Sequence, residues 1–107
     1  MNIVVYRSKR TEIKKAFDYL FTQLSNVYPC NTMSRYNETV IDIGDIRIEF
    51  RCGDIYKMGG LRPDYYNTDS QPASDFLCQG AVKVDGEELA DISDILRIIA
   101  TQLSKVF

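Results

Sequence analysis

Thr39-Val40-Ile41-Asp42-Ile43-Gly44-Asp45-Ile46-Arg47-Ile48-Glu49-Phe50 is the stretch that decides how this chain folds. Two alternating apolar runs flank Gly44-Asp45, a dipeptide suited to a two-residue hairpin loop. Pairing across that loop sets Ile43 opposite Ile46 and Ile41 opposite Ile48. All four then share a face with Phe50 and Cys52, and Arg47, Glu49 and Arg51 fall on the other. A slip of one residue would turn the whole apolar set toward water, so the register is strongly specified.

Upstream of the hairpin, residues 29–38 carry Pro, Asn and Ser with few apolar anchors and are expected to be a connection. Before them Ile13, Ala16, Phe17, Leu20, Leu24 and Val27 fall on one helical stripe, which predicts a helix over about 10–27, ended by Pro29. Asn2 to Tyr6 is an almost continuous apolar run, as in a strand covered on both faces. Downstream, Gly53, Gly59, Gly60 and Pro63 mark a loop, and Asp64 to Asp69 suits a short strand. Gly80 to Val84 is strand-like and runs into the turn dipeptide Asp85-Gly86. Leu89, Ile92, Ile95, Leu96, Ile99, Leu103 and Val106 then repeat at helical spacing, predicting a helix near 91–105. The expected fold is a single α/β domain over 1–107, with a central mixed sheet of about four or five strands and two flanking helices that bury their stripes on it.

At 107 residues the chain has room for one core, and its 45% hydrophobic and 26% charged shares are those of a globular protein. The net charge of −2 gives no global case for nucleic acid or an anionic membrane. Its distribution is uneven. Residues 1–15 hold five bases against Glu12 alone, whereas residues 85–94 hold five acids and no base. Cys30, Cys52 and Cys78 show no CxxC spacing, and with no leader peptide or bilayer-length apolar run the expectation is a cytoplasmic protein with reduced, mostly buried thiols and no membrane partner. There is no histidine, which removes the commonest general base and the commonest zinc ligand together.

Three places could carry chemistry. Arg7, Ser8, Lys9 and Arg10 leave the carboxyl end of a buried strand and open a helix, a position where backbone N–H groups and the helix dipole suit an anion. The bland alternative is a solvated turn. Gly59-Gly60 ahead of Arg62, with Asp69 at a strand end, could let the backbone approach a ligand and hold magnesium through water; such a turn is also ordinary structure. Arg47 and Arg51, with Lys57 downstream, could meet a phosphate backbone, although pairing with Asp42 or Glu38 would neutralise much of that charge. No Walker-type or dinucleotide-type glycine motif occurs, and no spacing suggests a nucleophile with its base.

The stretch from Asp42 to Phe50, followed by Gly59-Gly60-Leu61-Arg62-Pro63-Asp64 and Asp69, resembles part of the ATPase core of the large terminase subunits and related P-loop NTPases of bacteriophages. The strand, basic loop and helix from Val4 to Leu20 resemble an earlier part of that core, so the likeness spans about 3–70. It implies that Asp69 takes the place of the magnesium-coordinating Walker B aspartate. The family's phosphate loop and lysine lie ahead of the matched region, where this sequence has Met1 and Asn2, and Ser70 stands where the family has its catalytic glutamate. The resemblance therefore implies a truncated phage-type P-loop fold without independent nucleotide hydrolysis. The expectation is a non-enzymatic, phage-related binding protein with no required cofactor, engaging a protein or nucleic acid in the host cytoplasm. Two alternatives stay open: a magnesium-dependent nucleotide- or phosphoryl-processing domain completed by a partner or oligomer, and a small inhibitor of a host defence or replication protein.

Overall fold

A computed structural model describes residues 1–35, 38–53, 63–69, 82–83 and 93–104. In chain order the elements are β1 (Asn2–Arg7), α1 (Arg10–Ser25), β2 (Asn31–Arg35), β3 (Glu38–Ile43), β4 (Ile46–Cys52), β5 (Tyr65–Thr68), β6 (Val82–Lys83) and α2 (Ser93–Ser104). The strands form one mixed sheet in the order β2-β3-β4-β1-β5-β6. β1 runs parallel to both its neighbours, β4 and β5, and β5 is parallel to β6, while β3 is antiparallel to β2 and β4.

The hairpin has the expected register, with Ile43 paired to Ile46 and Ile41 to Ile48. Gly44 takes φ +54 in the loop, a left-handed conformation that a side chain makes costly. Ile41, Ile43, Ile46, Ile48 and Phe50 are buried together with Ile3 and Val5 of β1. Both helices lie on this face: Ile13, Ala16, Leu20 and Leu24 of α1 and Ile95, Ile99 and Leu103 of α2 belong to the same cluster. Phe17 stacks on Phe21 and meets Phe50 edge-on at 5.2 Å, which fixes α1 over β4. On the reverse face Val4, Tyr6, Val40 and Tyr66 are buried, so β1 is covered on both sides as its apolar run predicts.

Two expectations need correction. Residues 29–38 are not simply a connection, because Asn31–Arg35 pairs along its whole length with β3 and adds a sheet edge. Asn31, Thr32, Met33 and Ser34 are all exposed, so neither face of β2 needs apolar residues and no alternation announces it. The first helix stops at Ser25 rather than near 27. Val27 and Tyr28 both donate backbone N–H bonds to the Leu24 carbonyl as the chain turns toward β2. Val27 is left 69% exposed, and Tyr28 rests against the core instead. The strand over Asp64 to Asp69 is present as β5, and the two-residue β6 lies inside the stretch expected from Gly80 to Val84.

Candidate functional site

The ends of β1 and β5 define the site. Because the two strands are parallel, with Tyr6 paired to Thr68, both carboxyl ends emerge on one edge of the sheet. There Ser8 donates its backbone N–H to Asp69 Oδ1 at 3.1 Å and its hydroxyl to Asp69 Oδ2 at 3.2 Å. The loop that leads into α1 is thus tied to the end of the neighbouring strand by a charge-assisted pair of bonds. At the opposite end of the same strand pair, Asp64 accepts the Asn2 N–H at 2.9 Å. Two aspartates therefore bracket β5 and clamp β1 at both of its ends.

The basic residues of this loop divide sharply. Arg7 continues the alternation of Ile3 and Val5 and is only 3% exposed. Its Nη1 donates to the carbonyls of Tyr6 at 2.9 Å and Asn67 at 3.3 Å, so its guanidinium lies within the fold. It does not belong to an exposed cationic surface, contrary to the expectation from its place in the loop. Ser8, Lys9 and Arg10 are exposed. Lys9 is the N-cap of α1 and makes no side-chain capping bond, while its carbonyl accepts the N–H groups of Glu12 and Ile13. With Glu12 the one acid in the first turn, the start of α1 combines Lys9 and Arg10 with the positive end of the helix dipole. That combination is locally unfavourable in isolation and favourable toward an anion.

Sheet topology gives this edge a further property. From β1 the chain passes through α1 to β2 at one margin of the sheet, and from β5 it goes on to β6 at the other. The strands that follow β1 and β5 in the chain thus lie on opposite sides of this parallel pair. This is the arrangement that opens a crevice at the carboxyl ends of an open α/β sheet.

No family model matches this chain, and no curated protein or solved structure matches it either.

The other candidate residues lie apart from this edge. Arg47 and Arg51 are on the reverse face of the hairpin, as its register requires. Arg47 Nε bonds Asp42 Oδ1 at 3.1 Å, and Arg51 reaches Glu38 at 3.4 Å and Glu49 at 3.5 Å. Asp42 holds the Arg47 guanidinium charged beyond its already high ordinary range, through the hydrogen bond first and the Coulomb attraction second. These arginines form a cross-strand ion ladder and not a free cationic stripe. Lys57, Gly59, Gly60 and Arg62 lie outside the described residues. Among the described residues no group of three or more Cys, Asp or Glu gathers as a metal centre, and no helix is long and apolar enough to cross a membrane. Cys30 and Cys52 are free and half-buried, and burial pushes the Cys30 thiol up from its ordinary value.

The Ser8–Asp69 contact was partly within reach of the sequence. Asp69 ends a tyrosine-rich strand and Ser8 follows an apolar one, and only the parallel pairing of the two was needed to join them. Burial of Arg7 was harder to read: it occupies the same face as Ile3 and Val5, but Val4 and Tyr6 between them are apolar and buried as well.

Proposed function

We propose that this domain is a non-enzymatic binding module that takes an anionic segment of a protein or nucleic-acid partner at the carboxyl edge of β1 and β5. One observation carries the reading. At the carboxyl ends of two adjacent parallel strands, Ser8 is fastened to Asp69, and the exposed Lys9 and Arg10 stand beside it at the first turn of α1. The fastening sets the position of the loop, and Lys9, the N-cap, makes no side-chain capping bond at the positive end of the helix dipole. The likeness of the hairpin and the following turn to phage packaging ATPases is the ground for regarding the module as phage-related.

The test compares wild type with the double variant Lys9→Ser, Arg10→Ser. Fluorescence anisotropy with a single-stranded oligonucleotide and with an acidic polypeptide, at low and high salt, reads the binding. The double variant should bind several-fold more weakly at low salt, and the difference should shrink as salt is raised. Equal binding by the two proteins, with equal melting temperatures, overturns the assignment.

A second reading rests on the same contact. In P-loop NTPases magnesium is held by a hydroxyl of the phosphate loop together with the Walker B aspartate. Ser8 Oγ and Asp69 Oδ2, 3.2 Å apart, are a pair of that kind. A magnesium-dependent rise in melting temperature with nucleotide, lost in Asp69→Asn, would favour this reading over the first.

A further inference from the structure

We propose that β2 is a pairing edge for a second copy of this chain, which joins it antiparallel about a two-fold axis at Met33. This surface is at the margin of the sheet and is independent of the carboxyl edge of β1 and β5. The first observation is what β2 lacks. It is the terminal strand of the sheet, yet Asn31, Thr32, Met33 and Ser34 are all exposed, so β2 is held by its pairing with β3 and not by burial. A strand so placed presents a row of backbone donors and acceptors to whatever lies beyond it. Its register with β3 is unbroken from Asn31 to Arg35, and no proline lies between those residues, so neither a bulge nor an imino acid blunts the edge. Independently, the two large hydrophobic side chains that stand exposed among the described residues both occur here. Val27, 69% exposed, leads into β2, and Met33, 40% exposed, is its central residue.

The choice of a second copy follows from the cross-strand rows. Met33 is paired to Val40, which is buried on the reverse face of the sheet. A two-fold axis at Met33 places it against Met33 of the partner subunit, which extends the Val40–Met33 row without interruption across the seam. Thr32 then falls opposite Ser34 of the partner subunit, a hydroxyl pair that suits adjacent strands. Asn31 falls opposite Arg35 of the partner subunit. The row through that pair runs Arg47, Asp42 and Asn31 up to the seam, and because Asn31 is neutral no two like charges meet across it. The strand is thus complementary to itself in polarity and in charge, as an isologous contact requires. A five-residue seam is short, so the dimer belongs to the weak, concentration-dependent class.

Sedimentation velocity of the full chain from micromolar to millimolar concentration tests this. Wild type should move from the mass of one chain toward that of two. Met33→Lys sets two ammonium groups face to face at the axis and should stay a single chain throughout, with the melting temperature of wild type because Met33 is exposed within one copy. Thr32→Pro removes a backbone donor from the same strand and should have the same effect. If it unfolds the chain, Met33→Lys alone decides. Wild type that remains a single chain at millimolar concentration, or Met33→Lys that associates as strongly as wild type, overturns the proposal.

Discussion

Arg7 and Lys9 are two residues apart and have opposite fates. Arg7 ends a strand and points into the fold, where its guanidinium meets two backbone carbonyls, whereas Lys9 begins a helix and points into water. Truncating Arg7 removes those bonds and leaves a hole where its stem was packed, so Arg7→Ala should lose about 2–4 kcal/mol of stability. Lys9→Ser should lie within about 0.5 kcal/mol of wild type, or gain slightly by relieving repulsion at the helix start. Thermal melts of the two variants check this, and similar losses in both would show that Lys9 too is structural. Composition alone groups both residues as a basic loop. Only the alternation of Ile3, Val5 and Arg7 separates them, and that alternation was obscured because Val4 and Tyr6 between them are also apolar and buried. A strand buried on both faces gives no contrast from which to read the direction of its last side chain.

The hairpin of β3 and β4 was legible in full because three local signals agree: turn chemistry, alternation and cross-strand charge. Gly44 is where that agreement can be tested. At φ +54, with nothing within 4 Å of where a Cβ would be, a substitution there meets backbone strain and no clash. Gly44→Val should therefore cost about 1–2 kcal/mol, and Gly44→Asn distinctly less because asparagine tolerates the left-handed region. Urea denaturation followed by circular dichroism measures both, with an unchanged slope expected. A valine variant as stable as wild type would mean that the loop can adopt another turn at no cost. β2 is the contrary case. It is an element made by its neighbour, since β3 supplies the pairing and the residues of β2 bury nothing, so the sequence carried no periodic signal for it. Its polar composition is that of a loop, and tertiary pairing overrides it.

At the scale of the molecule, α1 and α2 share one apolar face of one sheet. Leu20, Ile48 and Ile99, from three elements far apart in the sequence, belong to a single buried cluster. Leu20→Ala and Ile99→Ala should each cost about 2–5 kcal/mol, a large part of the roughly 5–15 kcal/mol that holds a domain of this size. Both should lower one common transition rather than split it. Denaturation followed in parallel by far-ultraviolet circular dichroism and tyrosine fluorescence would reveal an α2 that melts separately, which would contradict the shared core. The class of fold was legible because both helical stripes need a sheet to cover them. The strand order was not, because a sequence pattern shows which strands are buried and not which neighbour each one takes.

The central strand has its partners late in the chain. β1 is made first, but β4 and β5 follow it by more than forty and sixty residues, and the connecting segments gain nothing until those seams close. Helix α1 and the β3–β4 hairpin can form early from local contacts, while β1 must wait to be inserted between strands that do not yet exist. Closure of β1 is therefore the topologically demanding step of folding, and the Ser8–Asp69 contact, spanning 61 residues, depends on it. During synthesis the carboxyl edge has no geometry at all. Any partner that grips it is selecting chains whose folding is finished.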